Sequence, residues 1–325
     1  MNTTLNWEPD FLGPDFTRLS LPLGADPDGE GTVAATLVRY APTDIAGRPA
    51  LLWVHGMTDY FFQAHVAEYF HAKGFAFYAL DLRKCGRSRM EGQRWHYVSD
   101  LSFYYQDLDA AVEVLRRFHP TVVPLAHSTA GIIVPLWLDY RRRHNELAPI
   151  KALILNSPWL DMMGISPRVV SILRPIVDVV GKHFPMLPFP GGGLSAAGQS
   201  IHKDFHGEWD YDLAFKPLPG HKKYIGWLRT ILHSQALIHD NKIDVGIPTL
   251  VLCSTSSHFN KPYSEQTNVS DAVIDVKQTQ RWAPQLGRHV TVRPISDARH
   301  DVFLSRSHAR DEAFRISTEF LRATV

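Results

Sequence analysis

Cysteine is almost missing from this chain, which has two in 325 residues, Cys85 and Cys253. Two thiols inside apolar segments cannot build a secreted disulfide framework, so both are expected as buried free thiols. An excess of charge of one sign is missing too. The 34 Lys and Arg face 33 Asp and Glu, a formal charge of +1, which removes the broad basic field that nucleic-acid binding needs. No clean apolar run approaches the ~20 residues of a membrane-spanning helix. The best candidate, "VVSILRPIVDVVGKHF", is interrupted by Arg174, Pro175 and Asp178. The opening "MNTTLNWEPDFLGPDF" has no basic stretch leading into an apolar one, so no secretory signal is expected. Internal repeats and low-complexity tracts are absent as well. What remains is a chain 45% hydrophobic and 21% charged, long enough to bury one large core or two modest ones. A cytoplasmic location is the expectation; oligomeric state is left open.

Strand-like runs at residues 16–21 and 33–40 flank the turn-rich "GADPDGEG" and predict a hairpin or meander. Beyond it, short β-rich runs ("ALLWV", "FAFYALDL", "TVVPLA", "KALILN", "TLVLCS", "HVTVRPI") alternate with helical patterns near 62–73, 101–118, 129–143, 273–285 and 311–324. Near-continuous apolar strands belong to a parallel sheet covered on both faces, and the alternation is that of an open α/β sheet. One long interval breaks it. Residues 159–245 read as an inserted helical cap, leaving 1–158 and 246–325 as the core. Loops at the carboxyl ends of parallel strands form α/β ligand sites, so a cap entering after such a strand would cover the site.

Within "LAHSTAG" (125–131), Ser128 stands between a predicted strand and a predicted helix. That is the context of a nucleophile elbow, with Ala126 and Ala130 where the G-x-S-x-G pattern has glycines; the alternative reading is a helix N-cap. In this chain order the acid and then the base should follow. His300, in the loop after the last apolar strand, fits the base. "SDAVIDV" offers Asp271, favoured as the acid, and Asp275, each of which could instead cap a helix. At the end of the first parallel strand, "HGMT" supplies His55, Gly56 and Met57. The amides of Met57 and Thr129 are the expected oxyanion donors, and His55, Gly56 and His127 are expected at the substrate.

These residues resemble those of the α/β-hydrolase superfamily, and within it the monoglyceride lipase, lysophospholipase and serine aminopeptidase group. "LLWVHGMTDYFFQAHVAEYF" is similar to the group's strand, HG turn and helix, and "DLRKCGRS" (81–88) to its D-x-R-G-x-G-x-S stretch, with Lys84 where a glycine is usual. "YYQDLDAAVEVL" resembles the helix before the nucleophile strand, and "SDAVIDV" the acid-bearing D-x-x-x-D segment, after a loop longer than the family's. The resemblance implies an α/β-hydrolase fold with an inserted cap. It implies a serine ester hydrolase acting through an acyl-enzyme on a small acyl ester, without cofactor or metal.

Rival readings follow from the same residues. Amide cleavage, as in the aminopeptidase branch, would ask the cap for a carboxylate, with Asp161, Glu208 and Asp210 available. A non-catalytic ligand-binding protein could keep the pocket without turnover. The cap histidines His202, His206, His221, His233 and His239 read as surface residues rather than zinc ligands, because "HKDFHGEWD" is no clean helix. "GGGL" (191–194) reads as a cap turn, not a phosphate loop, and Arg141 to Arg143 as cations closing a helix.

Overall fold

Five apolar runs between Ala50 and Ser254 become strands because both of their faces find cover, whereas the last, "HVTVRPI", forms an edge strand that is largely exposed. The structure, a computed structural model, describes residues 5–189 and 193–325. In chain order the elements are β1 (Glu8–Asp10), β2 (Gly13–Ala25), β3 (Thr32–Tyr40), β4 (Ala50–Val54), α1 (Ala64–Ala72), β5 (Ala76–Asp81), α2 (Tyr104–Leu115), β6 (Val122–His127), α3 (Ala130–Arg143) and β7 (Leu153–Asn156). Then come α4 (Pro167–His183), β8 (Pro188–Phe189), α5 (Ser195–Ile201), β9 (Lys223–Tyr224), α6 (Ile225–His239), β10 (Thr249–Ser254), α7 (Val276–Trp282), β11 (Val290–Ile295) and α8 (Ser307–Thr324).

Nine strands form one sheet in the order β1-β2-β3-β5-β4-β6-β7-β10-β11. Pairing is antiparallel from β1 to β5 and parallel from β5 to β11. In β4, "ALLWV" is buried throughout. The period of two sends Leu51 and Trp53 to one core, with Phe70, Phe303 and Phe314, and Leu52 and Val54 to the other, with Leu108, Ile132 and Trp137. Burial of each such side chain stabilises by roughly 1.5–3 kcal/mol. From β4 the chain crosses to β5 on one side and then returns to β6 on the other. The loops leaving β4 and β6 therefore diverge and open a crevice at the strands' carboxyl ends.

Lys84, in the glycine position of the 81–88 stretch, does keep a left-handed backbone (φ 59°). Its ammonium is buried 2.5 Å from Asp26 and 3.0 Å from Glu30, both in the β2–β3 turn. The acidic turn that read only as a chain reversal thus supplies counter-charges, which offset the roughly 1–2 kcal/mol of left-handed strain.

Between β7 and β10, α6 buries Trp227 and Ile231 against the core, and α4 lies outside it. The sequence reads this segment as a cap covering the site at the strand ends. Within it α4 exposes Val169, Ile172, Leu173, Ile176 and Val179, while the residues flanking it reach inward. Among the described residues no helix is long and apolar enough to cross a membrane. Of the "GGGL" turn, residues 191 and 192 lie outside the described residues.

Candidate active site

Ser128 sits in the two-residue gap between β6 and α3 with φ 53°, a region that non-glycine residues rarely adopt and that marks functional strain. The turn is held from outside. Ser128 N–H donates to Asn156 O (3.0 Å), and Ser128 O accepts from Gly131 N–H (2.9 Å) and Trp159 N–H (3.1 Å). Ala126 and Ala130 are fully buried, so small side chains suffice there. The glycines that crowding demands are others. A Cβ on Gly131 would lie 2.4 Å from Pro158 Cβ, and one on Gly56 would lie 2.8 Å from Ser128 Cβ.

His300 Nε2 lies 2.9 Å from Ser128 Oγ, and His300 Nδ1 lies 2.8 Å from Asp271 Oδ2. A carboxylate only accepts, so Nδ1 carries the proton and Nε2 accepts from the hydroxyl. Asp271 is fully buried, and its Oδ1 takes the N–H groups of Val273 (2.8 Å) and Ile274 (2.9 Å). Asp275 does something else: it caps α7, accepting from Lys277 N–H at 3.0 Å. The helix thus begins at Val276, later than its sequence pattern indicates. The long acid loop also finds an explanation. Asp271 N–H donates to Ser256 O (2.9 Å) and His258 N–H to Asp271 O (2.7 Å). The intervening residues are an excursion that returns the carboxylate to the end of β10.

Three residues that the sequence did not single out, Gln63, Asn156 and Asp301, hold the His300 loop. Asp301 accepts from Asn156 Nδ2 (2.7 Å), Gln63 Nε2 (3.0 Å) and Phe303 N–H (3.0 Å), while Asn156 Oδ1 accepts from Val302 N–H (3.1 Å). Asn156 also takes the Ser128 amide on its carbonyl, so one residue at the end of β7 ties the Ser128 turn to the His300 loop. The polar residue closing "KALILN" was the available signal.

Met57 and Thr129 line the crevice beside Ser128. Neither N–H donates to another described residue. Planarity fixes their direction, since in a trans peptide the N–H points opposite the preceding C=O. Gly56 O is drawn to His55 Nδ1 (2.7 Å), whose Nε2 accepts from Leu82 N–H (3.0 Å); Ser128 O is drawn to Trp159 and Gly131. The two N–H groups are therefore turned the other way. His55, expected at the substrate, is fully buried with both ring nitrogens engaged, so it fixes the loop instead. His127 lines the crevice; its Nδ1 donates to Asn156 O (3.1 Å), and burial pushes it down to about 4. It is neutral at pH 7.

The crevice opens on two sides of Ser128, with cavity volumes of about 90 Å³ and 130 Å³. On the first side Lys216 Nζ meets Asp59 Oδ1 at 2.6 Å. Burial, the largest single influence, pushes Asp59 up, but Lys216, His127 and His55 outweigh it and hold the carboxyl below its ordinary value. The second side is walled by Trp159, Met162, Met163, Phe189 and Trp227, with Lys223 among them. The three cap carboxylates stand elsewhere: Asp161 accepts from Trp282 Nε1 (2.9 Å), Glu208 faces Arg310 (3.5 Å) and Asp210 pairs with Lys203 (2.6 Å). Nor do the cap histidines gather. His202 bonds Tyr211 O, while His206 stacks on Tyr263.

A mostly parallel sheet whose strand ends bring Ser, His and Asp side chains into one chain of contacts defines an α/β-hydrolase. More particularly, the chain belongs to the family described as serine aminopeptidase, S33, whose model matches residues 46–306. It is 33% identical to a monoacylglycerol lipase of Mycolicibacterium smegmatis over 149 residues, 45% of this chain and 49% of that protein. The match thus spans about half the length of that curated relative. Among solved structures, a soluble variant of monoglyceride lipase from Saccharomyces cerevisiae with a substrate analogue aligns over 94% of this chain and 96% of its own (TM-score 0.62, 15% identity). A monoacylglycerol lipase of Paleococcus ferrophilus aligns over 89% and 98% (TM-score 0.63, 19% identity). At such identities the likeness is one of fold.

Proposed function

We propose that this chain is a serine carboxylic-ester hydrolase working through an acyl-enzyme, with Ser128 as nucleophile, His300 as base and Asp271 as acid. The observation that carries the reading is the unbroken Ser128–His300–Asp271 contact, 2.9 and then 2.8 Å, at the mouth of a largely apolar crevice. Ser128 Oγ attacks the acyl carbonyl while His300 Nε2 takes its proton. Asp271 holds the imidazole tautomer and stabilises its charged form. The Met57 and Thr129 amides receive the oxyanion, and being fixed beforehand they need no reorganisation as charge develops. His300 then protonates the departing alkoxide; water, deprotonated by the same nitrogen, releases the acid.

Residues 159–245 act in this reading as a cap, whose Trp159, Met162, Met163 and Phe189 favour an apolar acyl group. A cytoplasmic location accords with two buried unpaired thiols. The family's description includes aminopeptidases, so amide cleavage is the rival. It is disfavoured because Asp59, the carboxylate in the crevice nearest the serine turn in sequence, already has Lys216 as its counter-ion. Fluorophosphonate labelling of Ser128, together with kcat/KM for p-nitrophenyl esters of graded length beside aminoacyl arylamides, tests the proposal. Labelling with ester turnover supports it. Faster arylamide turnover moves the assignment to amides, and no labelling leaves a non-catalytic binding protein.

A further inference from the structure

We infer that Arg299 is a positioning residue for the acid: by bonding Asn268 it fixes the loop that carries Asp271 against the loop that carries His300. The inference rests on the reading of Ser128, His300 and Asp271 as a triad, and on the following observations for the arginine.

Arg299 immediately precedes His300 and is 4% exposed. Its backbone N–H donates to Ser305 Oγ (2.8 Å) and its Nη1 to Leu304 O (2.6 Å), which closes the His300 loop on itself. Its Nη2 reaches across to Asn268 Oδ1 at 3.0 Å, three residues before Asp271. Asn268 is buried too, and its own amide nitrogen donates to Tyr263 Oη at 2.8 Å. Among the described residues, side-chain hydrogen bonds join residues 297–305 to residues 256–271 at two places, Arg299 to Asn268 and His300 to Asp271.

Burial makes this bond a poor device for stability alone. The guanidinium's partners are both neutral oxygens, so a buried cation is left without a directly bonded counter-charge, and burial lowers it to about 10. It stays charged at pH 7. What such a group supplies is direction: the guanidinium is planar, its donors form a fixed fork, and two of them here take acceptors on different loops. The 256–271 excursion needs that. Its two ends are paired through Ser256 O and His258 N–H, which settles where Asp271 stands beside β10 but not where the His300 loop stands against it. A further link, Arg306 Nη2 to Glu265 Oε2 at 2.9 Å, lies at the surface, where an ion pair holds little.

The test compares Arg299→Met and Asn268→Leu, which cut the bond from either side, with Arg306→Met, which cuts the surface pair. On one p-nitrophenyl ester, each of the first two should lower kcat about 10- to 100-fold with KM little changed, the cost of displacing a group by about 1 Å. Combined, they should cost little more than either alone, and in an Asp271→Asn background both losses should shrink below about threefold, because the group they position is gone. Arg306→Met should stay within about twofold of native kcat. The low-field proton resonance of the His300 Nδ1–H, held by Asp271 in the native protein, should move or broaden in the first two variants and not in the third. Native kcat in both variants, a raised KM at native kcat, an equal loss from Arg306→Met, or a loss undiminished in the Asp271→Asn background overturns the inference while leaving the hydrolase. Should thermal melting show that Arg299→Met does not fold, Asn268→Leu decides, since it leaves the bonds within the His300 loop in place. If no ester is turned over and Ser128 is not labelled, the ester-hydrolase reading fails on its own. The proton resonance then decides the positioning role: a line moved in both variants sustains it, an unchanged line refutes it.

Discussion

Replacing Asp271 by Asn puts the proposed acid to its sharpest test, because the two proteins differ at the relevant atoms by one N–H. In the native site Oδ1 is occupied by the amides of Val273 and Ile274, so the new side chain must keep its oxygen there. Its NH₂ then faces His300 Nδ1 at the position of Oδ2, 2.8 Å away. Two donors cannot share that contact, so the imidazole moves its proton to Nε2. That nitrogen then meets Ser128 Oγ as a donor and cannot take its proton. Exchange of a triad acid for its amide costs about 10⁴ in kcat, equivalent to about 5 kcal/mol of transition-state stabilisation. Asp275→Asn is the internal control. It caps α7 through one oxygen, a task asparagine performs equally well, so kcat should change less than about twofold. The assay is steady-state kcat on one p-nitrophenyl ester, with circular dichroism to verify folding. An Asp271→Asn enzyme retaining a tenth of native kcat, or an Asp275→Asn enzyme falling as far, would refute the tautomer argument.

Ser128→Ala and His300→Ala should each remove most turnover, and the double variant should be little worse than either, because the pair acts as a unit; multiplying losses in kcat would dissolve the partnership. Gly56→Ala drives a methyl to 2.8 Å from Ser128 Cβ, so kcat should fall by more than tenfold with a melting shift of only a few degrees, consistent with local overpacking of about 1–3 kcal/mol; native kcat would mean that the loop yields. Stability should also depend on pH. Burial lowers His65 and His127 to about 4 and His96 to about 3 from 6.5, so between pH 6.5 and about 4 the unfolded chain binds protons that the folded one refuses. Stability is therefore full above pH 6.5 and falls on acidification, with up to about 3 kcal/mol from His127 alone. Urea unfolding at pH 7 and pH 5 reads this directly, and equal free energies would contradict it.

Ser128 and His300 were legible because their signals are local: an apolar strand, a turn and a helix around the serine, and the last loop before the final helix for the histidine. Asp271 was legible only in part. The pattern placed an aspartate near a helix start, but that start is Asp275, and only the backbone pairing of residue 271 with residues 256 and 258 brings the Asp271 carboxylate to the end of β10. The latch of Gln63, Asn156 and Asp301 joins positions 145 to 238 residues apart, a distance no periodicity spans. His55 was misjudged for a related reason. Proximity to a loop in sequence suggested contact with substrate, whereas its hydrogen bonds run backward into the core.

The expected oxyanion donors show why geometry of this kind escapes a sequence even when the residues are named. An amide N–H has no side chain to announce it, and its direction is set by whatever captures the carbonyl on the other edge of the same peptide plane. For Met57 the captor is His55, locked by the Leu82 amide from β5's end; for Thr129 it is the Trp159 amide, from the chain that leaves β7. Two N–H groups on different loops are thus aimed by two further strands, so the proposed hole would be a property of the sheet's carboxyl edge as a whole. The segment that follows β7 begins with Trp159, the residue whose amide aims one donor and which lines the second side of the crevice. In the proposed reading, a substrate in that crevice would touch the residue whose amide sets the direction of the Thr129 N–H.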